Sequence, residues 1–304
     1  MSLKIIPLGG LGEIGLNMML YEYDDVIFIV DSGLMFPEDY MLGIDYVIPD
    51  MAYIRTNKTK VHAIVLTHAH EDHIGALPFL LKEVQVPVYA TAFTLGIVRN
   101  KLEEHDILAT TDLYEISPRD TLRIGPFELE FIRVCHSVVD GVGLAVKTPV
   151  GTVVHTGDFK IDHTAIDALK TDVGRFAQWG ETGVLALLSD STNVEKEGYT
   201  ISAKQIGESL SRLAENCSGR IIVALFASNI TRIQKVVNIA VALGRKVVFN
   251  GRSIELSVRI AKELGFLKVP ADMEIEVDAI GDLPDNEIVM IMTGSQGEPM
   301  SALA

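Results

Sequence analysis

Four residues able to hold a divalent cation, His68, His70, Asp72 and His73, stand within the run Thr67-His68-Ala69-His70-Glu71-Asp72-His73. Imidazole and carboxylate are the ligands of borderline divalent metals such as zinc, and carboxylate also suits manganese. Three of the chain's eight histidines crowd into this run, whereas an isolated histidine is ordinarily a hydrogen-bonding surface or core residue. The β-branched, apolar stretch 63–66 directly before it reads as a strand. In extended backbone His68 and His70 point the same way, so their rings can grip one ion. Asp72 and His73 come where the chain turns into a helix opened around Pro78, and so address a neighbouring position. The spacing predicts one ion on His68 and His70 and a second on Asp72 and His73.

A dinuclear site needs further ligands, and the candidates are residues at strand ends in the same half of the chain. His136 follows the strand expected at 129–134. Asp158 follows the strand expected at 152–155, within Thr156-Gly157-Asp158-Phe159. A carboxylate can bridge two cations, which a neutral imidazole cannot. Asp31, after the strand at 26–30, has two readings: it orients a ligand histidine through the second ring nitrogen, or it is a turn carboxylate before Gly33. His155 is assigned to support the ligands from behind. His62, His105 and His163 read as ordinary surface or core residues, and Cys135 as packing on the side of its strand opposite His136. Two cations about 3.5–4 Å apart lower the pKa of a bridging water and clamp the oxygens of an in-line phosphoryl displacement, which suits phosphodiester cleavage.

Gly10, Gly12 and Gly15, with Asp31 further on, outline a dinucleotide-binding fingerprint. That fingerprint needs a helix after the glycines. Residues 18–23 and 26–30 instead flank Asp24-Asp25 as the two strands of a hairpin, which leaves no room for one. The glycines read as a tight turn lining a site.

The elements that must carry these residues alternate short β-rich runs with Gly, Asp and Pro punctuation: 4–8, 18–23, 26–30, 63–66, 88–90, 129–134, 143–148 and 152–155. From about Thr200 the pattern changes. Ser202 and Gln205 form a Ser-x-x-Gln capping box, and Ile206, Leu210, Leu213 and Ala214 follow at helical spacing, so a helix runs to about Asn216. Strand 221–226, helix 230–243 stopped by Gly244, strand 246–249, helix 254–264 stopped by Gly265 and strand 288–292 read as successive βαβ units with a parallel sheet. The organisation expected is a first domain over 1–199 and a second over 200–304. Ala304 follows the last strand by only a dozen residues with no capping helix, so a fragment of a longer protein is expected.

The 304 residues are long enough for two cores, and 48% hydrophobic content excludes a disordered tail. Against 26 Lys and Arg stand 41 Asp and Glu, a net charge of −15, which excludes nucleic-acid binding by bulk attraction. A polyanion would have to be drawn in by local positive charge. Apolar runs fall far short of the roughly 18 residues a membrane span requires. With only Cys135 and Cys217 there is no disulfide framework, and a cytoplasmic setting is expected.

The H-x-H-x-D-H run at 68–73, with His136 and Asp158 after it, resembles the signature of the metallo-β-lactamase superfamily. Its fold is an αββα sandwich carrying two divalent ions at one edge of the sheets. Segments 8–17, 33–37, 100–105, 156–160, 188–193, 227–234 and 293–302 are similar to the ribonuclease J members of the β-CASP group. The resemblance covers essentially the whole chain. It implies a sandwich followed by a partial β-CASP parallel α/β domain, and a ribonuclease that cuts RNA internally and degrades it 5′ to 3′. In that pattern His68, His70 and His136 hold one ion, Asp72 and His73 the other, and Asp158 bridges them. Asp72 also steers the proton of the bridging hydroxide, and Asp190 in Ser189-Asp190-Ser191-Thr192 matches the acidic β-CASP motif A. The family's later Ser-Gly-His and His-Gly-Glu elements have no counterpart before Ala304, so impaired catalysis is expected of a shortened chain.

Two dications would also answer the charge problem, since they place four positive charges in one cleft while the rest of the surface stays acidic. Ser228 and Asn229, between a strand and a helix, are read both as helix caps and as a rest for RNA phosphate. Residues 293–297 have the same placement at the end of a strand and could line a crevice. Phe36 is read as a base-stacking candidate, with plain packing beside Pro37 as the alternative. Two other functions stay open: a lactamase-fold hydrolase of a small ester, thioester or lactam, and a non-catalytic fragment whose uncovered apolar surface would drive it into a homo-oligomer.

Overall fold

The computed structural model describes residues 2–38, 40–162, 170–295 and 302–303. From the N-terminus, β1 (Leu3–Gly9) pairs antiparallel with β2 (Met18–Tyr23), which turns through Asp24, at φ +54°, into β3 (Val26–Val30). This is the expected hairpin, and residues 11–15 before it form bends rather than a helix. The chain then passes α1 (Ala52–Thr56), β4 (Val61–Val65), α2 (Glu71–Ile74), α3 (Leu77–Glu83), β5 (Val88–Ala90), α4 (Ala92–Glu104) and β6 (Leu113–Glu115). Strands β3 to β6 run parallel, and the sheet order is β1-β2-β3-β4-β5-β6.

A second sheet follows from β7 (Thr121–Ile124), β8 (Phe127–Arg133), β9 (Val142–Thr148) and β10 (Gly151–His155), an antiparallel meander. Past α5 (Val173–Thr182), β11 (Ala186–Leu188) adds parallel to β10. The two sheets face each other across one core. Alternate residues Tyr21, Tyr23, Phe28, Val30, Ala63 and Val65 meet Phe127, Leu129, Phe131, Val142, Leu144 and Val146, as period-two alternation requires. Phe28 lies edge-on to Phe127 with ring centroids 4.9 Å apart, and stacks on Tyr21. The other face of the first sheet, with Leu20, Ile27, Ile29 and Ile64, is equally dry. Helices α3 and α4 bury Leu77, Leu80, Leu81, Phe93, Leu95, Val98 and Leu102. The layers are those of the αββα sandwich.

These elements form one compact unit, made of Met1–His136, Asp140–Ile161 and Lys170–Glu197. A second unit begins at Gly198 and also takes in Ser137–Val139 and Asp162. It contains α6 (Ala203–Glu215), β12 (Ile221–Ala224), α7 (Ile230–Ala242), β13 (Lys246–Asn250), α8 (Arg252–Glu263) and β14 (Ile288–Met292). Its three strands are parallel in the order β12-β14-β13, so the crossover pattern expected from the βαβ reading is present. Gly244 and Gly265, at φ +66° and +77°, end α7 and α8 as C-terminal glycines do. The capping box at Ser202 and Gln205 is closed on both sides.

Some expectations need correcting. The strand before the histidines ends at Val65, and residues 66–70 are irregular. His68 and His70 therefore converge through a loop, not through strand alternation. The strand expected to reach residue 226 stops at Ala224. Helix α4, thirteen residues long, was not anticipated, because Gly96 and the mixed polarity of 92–104 blur its period. The three-residue strands β6 and β11 and the four-residue β7 carry no readable alternation, because they are short and only partly buried. His163, Gln296 and Gly297 lie outside the described residues.

Candidate metal centre

The site is assembled where parallel and antiparallel strands of the first unit end together. Thr67 follows β4, and its backbone carbonyl accepts from the Val142 N–H at the start of β9, 3.0 Å away. This ties the histidine loop to the second sheet. His136 lies beyond β8, and Asp158 beyond β10. One turn of α2 carries Asp72 and His73.

His68 Nε2 is 3.0 Å from His70 Nδ1, which is 3.2 Å from His136 Nε2. Asp158 Oδ2 lies 3.6 Å from His136 Nε2 and 4.0 Å from His68 Nε2. The four ligand atoms all fall within 4.8 Å of one another. Donors at 2.0–2.1 Å from a tetrahedral ion are separated by about 3.3 Å, so this donor set fits a divalent metal ion. The other carboxylate oxygen, Asp158 Oδ1, faces His73 Nε2 at 3.4 Å, and Asp72 Oδ2 is 3.7 Å from the same nitrogen. Asp158 thus presents one oxygen to each donor group. Asp72 and His73 are not part of the tight group of four, and they meet it through Asp158 and through the His73 ring, whose centroid lies 4.1 Å from that of His68.

The tautomers are set from behind. Asp31, only 2% exposed, accepts from the Thr67 N–H at 2.7 Å and from the Thr67 hydroxyl at 2.9 Å. It also takes His73 Nδ1 at 2.8 Å, which leaves His73 Nε2 for the site. Since the Thr67 hydroxyl donates to Asp31, it accepts from His68 Nδ1, 3.0 Å away, and turns His68 Nε2 outward. Of the two readings of Asp31, the geometry matches the one in which it orients a histidine.

Protonation favours cation binding at the tight group. Burial drives His68 well below the usual histidine range, and burial with the neighbouring rings brings His70 to about 3 and lowers His136. All three are neutral at neutral pH, the state a metal requires. Burial alone would raise Asp158, but the hydrogen bond and charge of His73 hold it down to about 2. Burial would lower His73, yet the carboxylates of Asp31 and Asp158 keep it well above its usual range. Asp72 is raised by burial.

Asp190 does not join the ligands. It accepts from the N–H and hydroxyl of Thr192 at 2.9 and 2.5 Å, and its own N–H donates to Thr156 at 3.0 Å. The Phe159 N–H reaches it at 3.5 Å, so it braces the turn that carries Asp158. His155 Nδ1 meets the buried Tyr21 hydroxyl at 3.0 Å. His105 stacks edge-on against Phe79, and His62 is exposed. Cys135 is buried. Phe36 is 64% exposed. In the other unit Asn229 caps α7, its side chain accepting from the Arg232 N–H at 3.1 Å, and Ser228 lies in the turn just before it. Asn17 was missed by sequence reading. Its amide reaches Asp72 and His73, and the only signal was its place at the end of the glycine turn.

The family profile "Metallo-beta-lactamase superfamily" matches residues 11–191, and "Ribonuclease J, beta-CASP domain" matches residues 218–304. A ribonuclease J of Helicobacter pylori is 45% identical over 303 residues, 99% of this chain and 44% of its own length. A ribonuclease J of Thermus thermophilus is 47% identical over 99% of this chain and 53% of its own length. The chain spans about half the length of the curated relatives it matches. A solved Enterococcus faecalis protein of unknown function has the same fold, with a TM-score of 0.70 at 16% identity over 97% of this chain and 78% of that one. With the sandwich, the His and Asp cluster and these matches together, the chain belongs to the metallo-beta-lactamase superfamily, and its residues 218–304 are similar to the β-CASP domain of ribonuclease J.

Proposed function

We propose that this chain serves a metal-dependent ribonuclease that hydrolyses RNA phosphodiester bonds, both internally and from the 5′ end, with two divalent ions of zinc or manganese. One observation carries the reading: the two oxygens of Asp158 address separate donor groups, His68 with His136 on one side and His73 on the other. A bridging carboxylate of this kind belongs to a two-ion centre. When bound, the ions supply an activated water and stabilise charge on the phosphodiester oxygens. Residues 1–199 are assigned to the part that holds them and 200–304 to the β-CASP part.

The chain's own residues have distinct tasks in this reading. His68, His70 and His136 hold one side and Asp72 and His73 the other, while Asp31 and Thr67 fix the rings. Asp72, with a side chain 32% exposed, is assigned to steer the proton of the attacking water. Asp190 keeps the Asp158 turn in place. The backbone N–H groups around Ser228 and Asn229, at the start of thirteen-residue α7, are assigned to RNA phosphate. The exposed face of Phe36 is assigned to a base. Both cysteines are free of disulfides, which supports a cytoplasmic setting.

The test is elemental analysis joined to cleavage of 5′-phosphorylated single-stranded RNA, with a thioester as the competing substrate. Two equivalents of metal and RNA cleavage are expected. His70→Ala should abolish cleavage and uptake on the three-histidine side while leaving far-UV circular dichroism unchanged. Cleavage that persists in His70→Ala, or turnover of the thioester in place of RNA, would overturn the reading.

A further inference from the structure

The glycine turn that mimics a dinucleotide fingerprint has no part in the reading above, yet it ends at Asn17, beside the metal centre. Three segments meet there with no spare room. Asn17 N–H donates to the Asp72 carbonyl at 3.1 Å, and Gly33 N–H donates to the Asn17 carbonyl at 2.9 Å. A Cβ on Gly33 would fall 1.6 Å from the Asp72 carbonyl oxygen, so only glycine admits this approach. Gly10, at φ +82°, would place a Cβ 2.5 Å from Asn17 Oδ1.

Packed in this way, the Asn17 amide faces the Asp72 and His73 side. Its Nδ2 donates to the Asp72 carbonyl at 3.0 Å and to Asp72 Oδ2 at 3.4 Å, and stands 3.2 Å from His73 Nε2. We infer that Asn17 is a positioning residue that holds Asp72 in its ligating orientation and so sets the affinity of the Asp72 and His73 side for its ion. The inference rests on the two-ion reading above.

The chemistry of the amide suits the task. A carboxylate on a single turn of helix must lose side-chain freedom to bind, and a donor that restrains it beforehand removes part of that loss. Asp72 Oδ2 can accept one N–H and still offer a lone pair to an ion. Asn is neutral, whereas a Lys or Arg in the same place would set a positive charge against the cation. The three-histidine side makes no contact with this amide among the described hydrogen bonds, so the effect should be confined to one ion.

The experiment is a chelator-competition titration with Mn²⁺ and with Zn²⁺ on wild type, Asn17→Ala and Asn17→Leu, where Leu fills the amide's volume without a donor. Wild type should take two ions. Both variants should bind one with wild-type affinity and the other roughly 10–100-fold more weakly. Equal weakening at both ions, or wild-type behaviour of the Leu variant, would mean that Asn17 only fills space and would overturn the inference.

A measurement on wild type alone guards against variants that do not fold. The side-chain amide resonance of ¹⁵N-labelled Asn17 should shift with one of the two Zn²⁺ equivalents and not with the other. A shift with neither equivalent, or an equal shift with both, would overturn the inference as well. A wild type that takes up no metal would instead remove the two-ion reading, an outcome distinct from two ions bound equally well by every variant.

Discussion

Asp140 shows how one side chain near the site makes stability depend on pH. It adopts φ +65° in the loop between β8 and β9 and is turned toward the start of α4, where the Phe93 N–H lies 3.5 Å from its carboxylate. Burial raises its pKa to about 6, against the opposing hydrogen bonds of Phe93 and Thr91. Because the folded value lies above the unfolded one, the folded state binds the extra proton. The contribution of Asp140 to stability is therefore fully present below about pH 4 and is lost as pH rises toward 6. Asn keeps the acceptor and tolerates positive φ, so Asp140→Asn should gain stability relative to wild type across that window. A shift of two units corresponds to about 3 kcal/mol at most. Urea unfolding of both proteins at pH 4, 5, 6 and 7 measures it, and a difference that stays flat with pH would remove the assignment.

At the scale of elements, α6 illustrates a helix that depends on its cap. Of its thirteen residues only Ala214 is buried, so packing contributes little to holding it. Ser202 Oγ accepts from the Gln205 N–H at 3.3 Å, and Gln205 Oε1 accepts from the Ser202 N–H at 3.2 Å. Ser202→Ala should cost about 1 kcal/mol and raise amide exchange along 203–215 roughly fivefold, with exchange in β14 unchanged. Helix α4 is the opposite case. Five buried side chains hold it, its pattern is weak, and it forms because the sheet beneath it must be covered.

On the scale of the whole molecule, a net charge of −15 would oppose the proposed metal ions in attracting RNA. In the proposed reading the acidic surface repels a polyanion at long range, while the ions and the start of α7 would attract it only at contact range. Screening by salt weakens the long-range part first. Raising monovalent salt from about 20 to 100 mM should therefore leave KM for RNA unchanged or lower it. A basic RNA-binding protein would lose affinity over the same range. A steep rise in KM would show that a basic surface, and not the metal cluster, captures RNA. Among the described residues no helix is long and apolar enough to cross a membrane.

The local sequence determined the donor types, their crowding at 67–73, the hairpin at 18–30, and the caps and stops of α6, α7 and α8. Each is written within a few residues, through ligand chemistry, period or cap geometry, and neighbours in the chain are enough to express it. The tertiary structure decided what depends on distant partners. It turned His68 and His70 together through a loop and not a strand, and it gave Asp31 to both His73 and Thr67. It also brought the glycine turn against Asp72, an approach that depends on Gly33 lacking a side chain fifteen residues or more from either neighbour. Which nitrogen of a histidine faces an ion follows from a hydrogen bond made across the fold, and no spacing along the chain encodes it.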